Sequence, residues 1–285
     1  MRGLCLTVFF AFIFVNVSFA KLNVSTSIFI LSTIVKQIGK NKVDVSYVIP
    51  EGANPHLFSP RPRDLINFKD ADLFIGVGYG FEFWFRRIAY LRKGKLSIFL
   101  SEWYKNPIDE IKVGNLKLAN PHIWLDLDFM RNVGIPHIAD TLCKLDKKDC
   151  GLFRKNAAIV EKELENVIAG YKGFVKSTKG FCIVDVKPAF EYLFKSIGKP
   201  TCGVVIKRGN EMPKVGDIRD VIEHCRCKRG IVVYVNNIQT AKSIAQVLGY
   251  RVLRLNPLGD PKDARESSYI KLLNYNLSLL NSALE

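Results

Sequence analysis

The sequence predicts an α/β protein of two α/β lobes with parallel sheets, bridged by one long helix, with a ligand cleft between the lobes. Three observations predict it. Strand-length apolar runs alternate with helically spaced segments through the first half of the chain, and the alternation starts afresh in the second half. Between the halves, residues 152–175 keep helical spacing with no proline, a stretch that at ~1.5 Å per residue spans about the diameter of a lobe. The tripeptide Asn54-Pro55-His56 recurs as Asn120-Pro121-His122, each time leading into an aromatic-rich segment, in a chain with only 4 histidines.

The chain opens with Arg2, an apolar run over 4–17 and Ser18-Phe19-Ala20, whose small residues sit where a signal peptidase reads. The run is too short to span a bilayer and no stop-transfer pattern follows, so residues 1–20 read as a cleaved export signal, and Cys5 heads the run where a lipid-modified cysteine would end it. Residues 22–27 and 43–49 read as strands around a helix at 29–38. The loop 50–62 carries His56, and after it come a helix at 64–69, a strand at 72–77, an aromatic helix at 81–91 and a strand at 96–100. Functional loops of such a sheet lie at the carboxyl ends of its strands, where His56 falls. After His122 the chain enters helix, and the long helix follows. The second alternation has strands at 182–186, 202–206, 231–235 and 251–255, and helices at 189–197, 215–224, 240–248 and 269–284. The organisation expected is a leader at 1–20, a first lobe at 21–150, a connecting helix at 151–176 and a second lobe at 177–285.

Composition narrows the function. The formal net charge is +15, but the lysines and arginines are scattered, with no aromatic-interleaved stripe and no recognition helix, so the charge is read as solubility and surface attraction with no nucleic acid as partner. Of 7 cysteines, all but Cys5 follow the leader and enter a compartment where disulfides persist. Cys143 and Cys150 flank a charged turn that they could close, Cys182 and Cys202 sit on consecutive expected strands, and the connectivity stays open. Thiolate metal ligation competes, although only Cys225 and Cys227 form a close pair and no second pair completes a zinc-ribbon spacing. No His-Glu-x-x-His helix, nucleophile elbow or glycine-rich phosphate loop is present, which argues against an enzyme. Asp126 and Asp128 read as a capped helix start, His137 and His224 as structural or surface groups, and Trp84 and Trp124 as packing groups.

The Asn-Pro-His pair carries the chemistry. Proline fixes its own φ and holds the preceding asparagine extended, which pre-orders an imidazole in a loop. His56 and His122 are therefore the candidate metal ligands, with ordinary loop histidines as the bland alternative.

The run from Val48 through Pro50-Glu51-Gly52-Ala53-Asn54-Pro55-His56, with Ser59-Pro60, Ala71-Asp72-Leu73, Gly80-Phe81-Glu82-Phe83-Trp84 and Pro121-His122-Ile123-Trp124-Leu125-Asp126, resembles the zinc/manganese-binding solute-binding proteins of metal ABC transporters. Ala189-Phe190-Glu191-Tyr192, Leu255-Asn256-Pro257-Leu258-Gly259 and Tyr275-Asn276 extend the resemblance over essentially the whole mature chain. It implies a periplasmic, monomeric receptor that holds one divalent transition metal, zinc or manganese, between two lobes and hands it to a membrane permease. The zinc-type members often carry a histidine-rich loop before the second histidine, whereas 106–119 here contains none.

The resemblance also implies four ligand positions. His56 and His122 occupy two; the third falls on Lys187 and the fourth on Asn256, which offers a carboxamide oxygen in place of a carboxylate. A lysine ammonium ~4 Å from a dication is repelled by roughly 8 kcal/mol at an effective dielectric of about 20, as large as a micromolar binding energy. Three outcomes stay open. Lys187 swings aside and Asp185, favoured over Glu191 by strand alternation, supplies oxygen beside the histidines; or Lys187 stays charged, and the cleft takes an anion or a metal chelate; or the transport role has lapsed, leaving a structural or surface-interaction protein.

Overall fold

The computed structural model describes residues 21–113, 116–207 and 213–284, so the leader expected at 1–20 lies outside the described residues. The first lobe is built on β1 (Leu22–Thr26), α1 (Phe29–Gly39), β2 (Val43–Tyr47), α2 (Ile66–Asp70), β3 (Leu73–Gly76), α3 (Phe85–Ile88) and β4 (Leu96–Phe99). Its strands run parallel in the order β2-β1-β3-β4. Every residue of β3 is buried, as a central parallel strand covered on both faces requires.

The chain continues through β5 (Ile111–Val113) and β6 (Leu116–Leu118), α4 (Leu127–Phe129), α5 (Ile135–Leu145) and α6 (Cys150–Ser177). The second lobe has β7 (Phe181–Asp185), α7 (Glu191–Ser196), β8 (Gly203–Val204), α8 (Val215–His224), β9 (Arg229–Tyr234), α9 (Ile238–Leu248), β10 (Arg251–Arg254) and α10 (Tyr269–Ser282). Its parallel sheet has the order β10-β9-β7-β8. Both sheets thus place their first strand centrally, the second on one side and the third and fourth on the other. The direction of winding reverses beside β1 and beside β7, and crevices open there at the carboxyl ends of the strands.

Helix α6 has 28 residues, about 42 Å at the usual rise. Its buried stripe, which includes Phe153, Ala157, Val160, Leu164, Val167, Tyr171 and Phe174, recurs at three- and four-residue intervals. Near one end Asn156 Nδ2 donates to the Ile38 carbonyl at 2.8 Å. Further along Tyr171 Oη donates to the Leu273 carbonyl at 3.0 Å, tying the helix to both lobes. It is not the sole bridge. The Tyr269 amide at the start of α10 donates to Thr33 Oγ1 on α1 at 3.0 Å, and Tyr269 Oη donates to the Trp124 carbonyl at 2.6 Å. One apolar core consequently runs from β1 and β3 through α6 and α10 to β7 and β9.

Two expectations change in detail. The aromatic helix expected at 81–91 is broken into a turn, the short α3 and a single 3₁₀ turn at Ala89–Arg92. Gly78, Tyr79 and Gly80 all have positive φ, at 91°, 52° and 83°. Buried Glu82 accepts the Val77 and Gly78 amides at 2.7 and 2.9 Å, so the chain folds back on its carboxylate before helix can start. The strand expected at 202–206 is ladder-paired only at Gly203 and Val204, although the Val205 and Ile206 amides still reach the Asp185 and Val186 carbonyls. Within 106–119, the segment without histidine, β5 and β6 form a small antiparallel hairpin.

The cysteines are joined as disulfides Cys143–Cys150, Cys182–Cys227 and Cys202–Cys225. The pairing of Cys182 with Cys202 suggested by consecutive strands is corrected: both pack into one cluster beside the Cys225-Arg226-Cys227 segment, which supplies a separate partner to each. Tyr250 Oη donates to the Cys225 carbonyl at 2.5 Å and accepts the Cys227 amide at 3.0 Å, holding the Cys-x-Cys segment across the end of the sheet.

The Cys182–Cys227 bond closes a sequence separation of 45 residues. Its replacement in Cys182→Ser/Cys227→Ser should lower stability by about 2–4 kcal/mol. Urea unfolding without reductant checks this, and an unchanged midpoint would count against that connectivity.

Candidate metal site

The two Asn-Pro-His copies fold alike. In the first, Asn54 caps a 3₁₀ turn over Pro55–Leu57 and its Oδ1 accepts the His56 amide at 3.1 Å. In the second, Asn120 Oδ1 accepts the His122 amide, also at 3.1 Å. Asparagine closes the local turn and proline supplies the φ it needs, so each imidazole leaves a turn of fixed shape. The loops meet where the winding reverses, and the His56 and His122 rings lie 5.4 Å apart between centroids at 57°. Phe81 packs its edge against His56 at 5.5 Å and meets Trp124 at the same separation, while Trp124 tilts against His122 at 5.2 Å. Trp124 Nε1 donates to the Pro257 carbonyl at 2.8 Å.

Asn120 fixes the tautomer of His122. Its Oδ1 also accepts from His122 Nδ1 at 2.8 Å, while its Nδ2 donates to the Pro188 carbonyl at 2.7 Å and to Glu191 Oε2 at 2.9 Å. The carboxamide cannot turn over, because both of its Nδ2 partners only accept. Nδ1 of His122 therefore carries the proton, and Nε2 keeps its lone pair. His122 is 8% exposed; burial, and then the neighbouring His56, push its pKa down to about 3. His56 is reached by solvent through the cleft mouth, yet the enclosing loops and then the Lys187 charge lower its pKa as well. Two neutral imidazoles in a crevice are nitrogen donors for a borderline divalent metal.

The other expected site residues divide. Lys187 lines the same cleft, of about 610 Å³, with Asn256, Lys207 and Arg254. Asp185 does not reach it. Placing Asp185 beside the imidazoles is corrected by the way β7 ends: the side chain is 0% exposed, and its carboxylate accepts the Lys187 and Phe190 amides at 3.3 and 2.9 Å. Burial pushes its pKa well up. Asn256 lines the cleft, but its Oδ1 already accepts the Leu258 and Gly259 amides at 2.9 and 3.3 Å, and its Nδ2 donates to Glu266. Its lone pairs are taken by its own turn.

Among the described residues no group of three or more His, Cys, Asp or Glu is placed to hold a metal ion. Among the described residues the two imidazoles are the donors brought together here. His137 Nδ1 and His224 Nδ1 lie against the Val133 and Asp220 carbonyls one helical turn back, outside this cleft. A second depression, around Lys36, Lys40 and Asp44 at the β1–β2 end, is open surface without a ligand pair. Sequence reasoning missed Asn120 as the group that sets the second imidazole and Glu82 as the group that aims Phe81. The first was signalled by the asparagine inside the repeat; the second carries no local signal.

The model of the family described as zinc-uptake complex component A, periplasmic, matches residues 24–283. A putative metal-binding protein of Thermotoga maritima is 29% identical over 259 residues, covering 88% of this chain and 89% of that one. The high-affinity zinc uptake system protein of Bacillus subtilis is 24% identical over 281 residues, covering 93% and 88%. The fold is shared with the manganese-bound periplasmic metal-binding protein from Candidatus Liberibacter asiaticus, at a TM-score of 0.79 and 22% identity, over 93% of this chain and 100% of the other.

The buried, depressed imidazole has a sign that can be checked. Between the ordinary histidine value of 6.5 and about 3, the unfolded chain binds a proton that folded His122 does not, so stability is lost as the pH falls through that window. Buried Glu82 and Asp185, whose values are raised, work in the opposite direction. Comparison with His122→Gln cancels them: between about pH 7 and about pH 4.5 the wild type should lose up to about 2 kcal/mol relative to the variant in urea unfolding. Parallel pH profiles would mean that His122 is not held neutral.

Proposed function

This chain belongs to the periplasmic zinc-uptake complex component A family, and from that premise we propose that it is the extracytoplasmic solute-binding component of a metal ABC transporter. It captures a divalent transition metal, zinc or manganese, in the interlobe cleft and delivers it to a membrane permease. The observation that carries this reading is the pair of neutral imidazoles 5.4 Å apart, one with its tautomer fixed, at the carboxyl ends of two sheets. His56 and His122 supply nitrogen. Coordination is completed from outside the chain, because Asn256 and Asp185 have their oxygens engaged in local turns. The relatives support the reading by their names, one for zinc uptake and one for bound manganese.

On this reading the chain is exported by its leader, acts as a monomer outside the cytoplasm, binds and releases without chemical change, and meets no nucleic acid. The boundaries 21–150, 151–176 and 177–285 are retained as functional units, with the cleft between the first and the last.

Elemental analysis of protein purified from its own host tests the reading directly: about one zinc or manganese per chain is expected, and a metal-free preparation that takes up neither would sink it. His56→Ala/His122→Ala should lose all metal-induced rise in melting temperature. Asn120→Ala, which frees the ring of His122, should weaken metal binding by about 10–100-fold. Lys187→His with Asn256→Asp should tighten it, and the same calorimetric titration reads both effects.

A further inference from the structure

Resting on the metal-binding reading, we infer that the cargo is a metal ion carrying its own carboxylate chelator, with the chelator's negative charge received by Lys187. The charges around the imidazoles point this way. Lys187 lines the cleft with His56 and His122, and among the described residues no third His, Cys, Asp or Glu is grouped with the two rings. Of the acidic side chains on the cleft wall, Glu51 accepts from Tyr47 Oη, Asp260 accepts the Lys262 amide at 2.8 Å and Asp109 lies on the same wall, but none is grouped with the imidazoles as a ligand. Glu191 is bonded to Asn120, and Asp185 is buried under the backbone of α7. A dication on the two imidazoles would keep its whole charge and face an ammonium as well. Among the described residues no carboxylate is grouped with the two imidazoles to offset that by coordination.

The ammonium is also without an occupation. Among the described residues Lys187 Nζ takes part in no hydrogen bond or ion pair, whereas Lys207, on the same wall, is paired with Asp217 at 3.3 Å. Arg254 uses Nε on the Val235 carbonyl at 3.3 Å. A carboxylate bound to the metal answers both deficiencies at once, lowering the net charge on the metal and accepting from Lys187.

Space and lining agree. The cleft volume of about 610 Å³ lies in the range of roughly 300–1,000 Å³ that takes small organic ligands, far more than a bare ion fills. Phe29, Tyr79, Phe83 and Leu258 line it, apolar surface for which a hydrated ion has no use and against which the carbon skeleton of a chelator packs. A chelator of two or three donors leaves two metal positions open, the number that His56 and His122 fill.

The test is calorimetric titration with zinc chloride and with manganese chloride, each alone and each with citrate or free histidine at matched free metal, and with the chelators alone. Wild type, Lys187→Ala and His56→Ala/His122→Ala are compared. Wild type should bind at least one metal–chelator pair tenfold or more tightly than that metal alone; Lys187→Ala should lose this gain while binding bare metal at least as well as wild type. The double histidine variant should bind neither form. Equal affinity with and without every chelator overturns the chelate proposal and leaves the metal reading standing. Absence of binding by either metal in any form overturns the metal reading itself. Chelator alone binding as well to the double histidine variant as to wild type would make the cleft an anion site and overturn the proposal by a different route.

Discussion

The site depends on the carboxamide of Asn120. It stands between the two lobes, with its oxygen on the amide and ring of His122 and its nitrogen on Pro188 and Glu191 beyond β7. Tyr192 Oη donates to the Asn120 carbonyl at 3.0 Å and accepts the Ile108 amide at 2.8 Å, so the backbone carrying the imidazole is held by the second lobe as firmly as by the first. A buried asparagine with its hydrogen-bonding capacity met on both ends has one orientation only. The direction of the His122 ring, its protonation and the packing of Trp124 beneath it all follow from that orientation.

Much of the architecture is legible in the sequence because parallel strands buried on both faces read as apolar runs and long amphipathic helices read by their period. The bounds of α8 match the spacing, and α6 exceeds its expected span by only two residues at each end. What was not legible depended on distant partners. Nothing near residues 81–91 announces that Glu82 will turn inward to hold two amides, although the glycines at 78 and 80 permit the turn. The partners of Cys182 and Cys202 both come from the segment after α8, a closure between distant parts of the chain that cysteine spacing does not announce.

The candidate site was legible where local geometry determines it and illegible where capping competes with ligation. Asn-Pro-His determines its own turn, and both copies are formed as the sequence implies. Asp185 and Asn256 carry oxygens at the right places in the chain, but each lies where a strand ends and amides need an acceptor. A short polar side chain in that position satisfies its own backbone first. Lys187 has no such duty, which is why the departure from the expected ligand pattern is also the feature with the most to say about the occupant.

The second bridge between the lobes, α10, bears on how far they can move apart. Two halves joined by one rod can swing about it like a jaw, but halves joined by a pair of crossing struts and a common interior resist that motion. His122 sits on a post braced from both sides, whereas His56 rides on a surface turn whose next residue, Leu57, is 69% exposed. The two imidazoles are thus mounted unequally, one on the braced framework between the halves and the other on a turn at the surface.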